Sequence, residues 1–193
     1  WFFVPVLFLL GMLTVHGAPS ASPHQPAGEK RLGELWRVLG DRRFRLLLSV
    51  FVVNGIAAAL PATLVLFFVA DVLHAEAWGG AFLALYFVSG IVFLPVWVGL
   101  SRRCGRVASW VISMGVAIAA FSCAWTLGAG DVSAFFVICL LSGAALGADL
   151  TLPAALLADI AESRTQGASR LTQAGAYFGW WNLVAKLNLA LAA

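Results

Sequence analysis

Of 193 residues, 62% are hydrophobic and 11% are charged, against about half and about a quarter in soluble domains. One core of this size cannot bury so much apolar surface, so a soluble globular fold is excluded and lipid has to cover the remainder. The net charge of +3 sits in short clusters between apolar runs, Arg42, Arg43 and Arg45, then Arg102, Arg103 and Arg106, which is loop charge at a membrane surface and not a nucleic-acid groove.

A spanning helix needs about 20 mostly apolar residues. Four complete runs qualify in chain order: Leu46–Ala70, Gly79–Leu100, Val107–Gly128 and Val132–Ala158. Two partial runs, Trp1–Val15 and Ala174–Ala193, flank them. All lack strand alternation, so the expected fold class is an all-α membrane protein with four complete and two partial transmembrane helices. Trp1 begins, and Ala193 ends, inside an apolar run, so the chain reads as a fragment. The first run followed by His16-Gly17-Ala18-Pro19 could also pass for a signal peptide. No basic stretch precedes it, however, and cleavage would put Lys30–Arg45 outside the cell.

Residues 16–45 form the expected cytoplasmic linker. His16–Gly28 is rich in Pro, Ala and Ser and reads as flexible. Lys30–Arg45 mixes bases with Leu32, Leu35, Trp36, Leu39 and Phe44, which suits a short amphipathic helix at the interface or an ordinary solvated loop. Six basic residues lie between Lys30 and Arg45, three in Ser101–Arg106, and Arg164 and Arg170 in Asp159–Gln173. The alternate loops, Asp71–Trp78 and Ala129–Asp131, have none. Complete alternation places the basic loops in the cytoplasm of a multi-pass protein of the inner (plasma) membrane. Trp36, Trp97 and Trp110 fall near the cytoplasmic ends of segments, and Trp78 and Trp125 near the opposite ends.

No GxSxG, HExxH or P-loop occurs. His16, His24 and His74 lie near or outside segment ends, so an enzyme is not expected. Cys104, Cys123 and Cys139 lack CxxC spacing or a nearby His, and read as small hydrophobes with no metal role.

Two ionisable residues lie deep in apolar runs, Asp149 and Lys186. A charge at that depth costs at least about 2.5–3.5 kcal/mol. Asp149 is ten residues from Asp159, ~15 Å, and Lys186 twelve from Ala174, ~18 Å. Both counts end near the midplane of a ~30 Å core on consecutive helices. The two could pair as a packing element or line a solute or ion pathway. Gly175, Gly179, Asn182 and Lys186 share one helical face, which leaves room for a ligand or packs tightly as GxxxG. Tyr177 and Trp181 flank it as stacking surfaces or interfacial aromatics. Gly143 and Gly147, roughly opposite Asp149, read as packing. Asn54 is an interhelical hydrogen-bonder or a solute contact. Pro61, Pro95 and Pro153 could loosen their helices.

Three stretches resemble the glycoside–pentoside–hexuronide:cation symporters, the melibiose-carrier-like branch of the major facilitator superfamily. Leu94-Pro-Val-Trp-Val-Gly-Leu-Ser-Arg-Arg-Cys-Gly-Arg106 is similar to that branch's P-x-W…R-x-G-R signature between helices eight and nine. Gly147-Ala-Asp-Leu-Thr-Leu-Pro-Ala-Ala-Leu-Leu-Ala-Asp159 is similar to its helix ten and the following loop. Gly175-Ala-Tyr-Phe-Gly-Trp-Trp-Asn-Leu-Val-Ala-Lys186 is similar to its helix eleven. The resemblance implies the C-terminal half of a twelve-helix bundle working by alternating access. Residues 1–15 would end helix six, 16–45 would be the central linker, and 46–193 would hold helices seven to eleven. It implies symport of a small solute, a sugar or glycoside, with Na⁺ or H⁺. Lys186 matches a functionally important lysine. The coupling-cation site is expected in the missing N-terminal half, no other cofactor is implied, and the resemblance carries no role over to Asp149, which rests on its depth alone. The alternatives are a major-facilitator carrier of a lipid, nucleoside or drug, or a non-transporting membrane protein.

Overall fold

The computed structural model describes residues 35–164 and 170–192, and every described element is helical or a turn. The expected helix end at 1–15 and most of the linker, 16–34, lie outside the described residues. Residues 35–38 make one helical turn. Val38 is buried and Leu35 and Leu39 pack beside it, while Trp36 is exposed. A turn at 39 and 40 separates this helical turn from the helix that follows.

Helix α1 spans Arg42–Phe67, so its first four residues fall inside the expected linker. Asp41 caps it, since its Oδ1 accepts a hydrogen bond from the Arg43 amide at 3.0 Å. Pro61 sits inside α1 without ending it, and a π-helical turn over Phe68–Val72 continues its axis. After a 3-10 turn, Glu76–Trp78, come α2, Gly79–Val92, and α3, Leu94–Cys104. Next are α4, Arg106–Ala124, α5, Val132–Arg164, and α6, Arg170–Ala192.

Beyond shifts at helix ends, the structure departs from the expected spans and loops in two places. The run Gly79–Leu100 is not one helix: α2 and α3 meet at Phe93 with a bend of 42°. Pro95 stands in the first turn of α3, where a missing amide costs nothing, so the bend falls just before it. The basic loop Ser101–Arg106 shrinks to a single residue, Gly105, with φ +86° and ψ 157°. That backbone region is open essentially to glycine alone.

A Cβ at Gly105 would meet nothing within 4 Å, so any cost of substitution there is backbone strain. Gly105→Ala is expected to lower stability by about 1–3 kcal/mol, read as thermal unfolding in detergent. Gly99→Ala, equally uncrowded but at an ordinary φ, is the comparison. Equal melting of the two variants would contradict the turn geometry.

Among the described residues, three helical stretches are long and apolar enough to cross a membrane, Arg42–Val72, Arg106–Ala124 and Val132–Arg164, and the bent pair makes a fourth if counted as one span. Helix α6 has 23 residues, ~35 Å at 1.5 Å each. Its length suffices, but Asn182, Lys186 and Asn188 dilute its hydropathy. Of the most apolar window of α5, 56% is buried, against 0% for that of α1. Helix α5 is thus the central post, packed along α2 and α4, while α1 lies outside it and pairs chiefly with α6.

Two apolar clusters hold the bundle. One, toward the arginine-rich end, joins Phe44, Leu47, Trp97, Trp110, Leu152 and Leu157. The other, toward the acidic end, joins Val69, Leu73, Phe82, Phe135 and Ile138, with Phe82 and Phe135 edge-to-face at 4.8 Å.

Candidate functional site

Asp149 is held from two sides. Asn54 Nδ2 on α1 donates to its Oδ2 at 2.7 Å, and Trp110 Nε1 on α4 donates to its Oδ1 at 2.6 Å. Both lengths are those of charge-assisted bonds to a carboxylate. Each oxygen has its own N–H donor. A bond to a charged group contributes about 1.5–3 kcal/mol, so two of them offset the ~2.5–3.5 kcal/mol of placing the charge at depth. The carboxylate ties α1, α4 and α5 together.

The pairing of Asp149 with Lys186, left open by the sequence, is not made here. Among the described residues the ion pairs are Arg106–Asp159 and Arg164–Asp41, and none joins Asp149 to Lys186. Trp110 and Trp97 are both buried and are not interfacial anchors. Trp97 Nε1 donates to the Ala144 carbonyl at 2.7 Å.

Helix α6 has two unlike faces. Gly175, Gly179, Asn182 and Lys186 are all exposed, and a Cβ at either glycine would meet nothing within 4 Å. The tight-packing alternative for this glycine pair is therefore not realised among the described residues. Asn182 Nδ2 turns back to the Phe178 carbonyl at 3.0 Å. Tyr177 and Trp181 lie about 200° and 240° round the helix from Gly175, on the side packed against α1, and do not flank the lysine face. Trp181 stacks on Phe51 at 3.9 Å. Tyr177 is buried and donates its hydroxyl to Asp41 Oδ2 at 3.3 Å.

The glycines that do pack are Gly143 and Gly147. A Cβ on Gly143 would collide with Ser89 Oγ and the Tyr86 carbonyl, and one on Gly147 with the Gly90 carbonyl. At the arginine-rich end two ion pairs fasten α5. Arg106 at the head of α4 meets Asp159 and donates to the Ala155 carbonyl at 3.3 Å. Arg164 Nε meets Asp41 Oδ2 at 2.9 Å. Trp110 and Asp41 are the partners that sequence reasoning missed. An aromatic and an acid near segment ends carry no sign of the helix they face.

Nothing in this arrangement activates a nucleophile, and among the described residues no His, Cys, Asp and Glu cluster could hold a metal. What it offers is a braced apolar bundle with one polar, unpacked helix face. Long apolar helices around a central post define a polytopic α-helical membrane protein. Residues 2–193 match the family described as MFS/sugar transport protein, and the chain belongs to that transporter family of the major facilitator superfamily. No curated protein and no solved structure matches the chain.

Proposed function

We propose that the chain forms the second half of a cation-coupled symporter of the melibiose-carrier-like branch, moving a sugar or glycoside across the inner membrane by alternating access. Its arginine-rich end faces the cytoplasm. The exposed face of α6 carries this reading. Lys186 is exposed and in no ion pair among the described residues. It lies one turn beyond Asn182 on a stripe whose glycines leave open space. An amino group on a spanning helix needs a partner. In two-halved carriers the solute path runs along the interface of the halves, and a polar, open face of this kind suits it. Lys186 and Asn182 then meet solute hydroxyls or carboxylates of the other half, where the Na⁺ or H⁺ site lies. Asn54 and Asp149 brace the half that presents them, and Tyr177 and Trp181 seat α6 on α1.

The test is uptake of labelled sugars into liposomes holding the full-length protein, under an imposed Na⁺ or H⁺ gradient. Lys186→Gln is expected to slow uptake by about 10- to 150-fold, the worth of one charged hydrogen bond, with the melting temperature unchanged. Wild-type uptake by that variant would overturn the reading. Gradient-driven uptake of a lipid, nucleoside or drug that no sugar inhibits would overturn the substrate class.

A further inference from the structure

We infer that the cleft at the head of α1 binds the phosphate headgroup of an anionic phospholipid, with an acyl chain running down the adjoining face of α1. The cleft holds about 400 Å³ and is lined by Arg37, Val38, Asp41, Arg42, Arg164 and Tyr177. Its charges do not cancel. The Asp41 side chain is only 8% exposed and is already satisfied by Arg164, the Arg43 amide and Tyr177. Arg37 and Arg42 are exposed and in no ion pair among the described residues. Two guanidiniums therefore remain on the wall for an anion, in the planar donor geometry that suits phosphate.

The stretch of α1 beyond Arg42 makes a lipid the occupant and not a free phosphate. Arg42, Leu46, Val50 and Val53 succeed one another at spacings of four, four and three, so they share one face. Leu46 is 66% and Val53 67% exposed, and Val50 is exposed too. A cationic head at the top of a bare apolar stripe has the shape of one phospholipid. Trp36, exposed beside the cleft and edge-to-face with Trp180 at 5.9 Å, is the residue type that settles at headgroup level. The anionic leaflet faces clusters of this sign. This site is separate from the solute face of α6 and does not depend on what the protein carries.

Native mass spectrometry of the full-length protein, extracted from bilayers of phosphatidylcholine with phosphatidylglycerol, counts the lipids retained. We expect selective retention of phosphatidylglycerol, weakened about 30-fold in Arg37→Gln with Arg42→Gln, as two basic contacts at a charged surface imply. Both residues are exposed, so folding is expected to survive. The comparison is Arg102→Gln with Arg103→Gln, two exposed bases on α3 that do not line the cleft, which should retain lipid as the wild type does. Equal loss in both double variants would reduce the effect to diffuse attraction and overturn the site. Displacement of the lipid by glycerol phosphate at matching concentration would also overturn it, since the apolar stripe would then contribute nothing. Wild-type protein showing no preference for phosphatidylglycerol over phosphatidylcholine would overturn it without any variant.

Discussion

Asp149→Leu is expected to be coupled to Trp110→Phe by about 1.5–3 kcal/mol, the worth of a hydrogen bond to a charged group, and to Asn54→Leu by a similar amount. The single substitution Trp110→Phe removes one of two donors and leaves a carboxylate at depth with only Asn54 Nδ2. Asp149→Leu removes the acceptor and leaves two N–H groups facing hydrocarbon. The double variant has neither charge nor orphan donor at that pair, so it should be more stable than the sum of the singles predicts. A double-mutant cycle on unfolding of the full-length protein in detergent measures this term. The same cycle between Asp149 and Lys186 should be additive to within ~0.5 kcal/mol, as for residues without a shared partner. Coupling to Lys186 with none to Trp110 would show that the carboxylate pairs across to α6 in the working protein, and its bracing role would be lost.

Gly147→Leu and Gly143→Leu are expected to be the most damaging substitutions in the bundle. At Gly147 a Cβ would stand 3.2 Å from the Gly90 carbonyl carbon and closer still to its oxygen; at Gly143 it would stand 2.9 Å from the Tyr86 carbonyl carbon. The obstacles are backbone atoms of α2, which cannot rotate away, so α2 and α5 would have to part along their length. Overpacking commonly costs about 1–3 kcal/mol and more where the backbone must move. Here it also removes the close helix contact on which association in lipid depends. Even alanine should lower the yield of folded protein. Gly175→Ala and Gly179→Ala, with open space around each, should melt within about 0.5 kcal/mol of the wild type, as surface changes do. Comparable losses at all four glycines would mean that α6 is as tightly packed as α5.

Much of this fold is legible because hydropathy reports contact with lipid, and the four apolar runs locate four spans. The limits of that signal are physical. Apolarity stops at Ala158 while backbone hydrogen bonding continues to Arg164, so α5 is longer than its greasy part. A bend costs no hydropathy, and the break at Phe93 is invisible within Gly79–Leu100. Counting residues gives depth along one helix but no azimuth relative to another. Asp149 and Lys186 therefore resemble neighbours by depth alone, and Trp110, which reaches the carboxylate from α4, resembles an interfacial ring. Azimuth within a single helix is readable, and it places Gly175, Gly179, Asn182 and Lys186 together. The same arithmetic puts Tyr177 and Trp181 on the other side.

The one-residue turn at Gly105 also bears on how the protein is made. Helices α3 and α4 are joined with no slack, so neither can enter the bilayer and wait for the other. They must go in together as a hairpin, apolar shafts first. Arg102, Arg103 and Arg106 crowd its tip, and dragging three guanidiniums through hydrocarbon is far costlier than leaving them behind. With the arginine-rich end cytoplasmic, as proposed above, the tip stays on the side where synthesis takes place, and Arg106 meets Asp159 there once α5 has been translated.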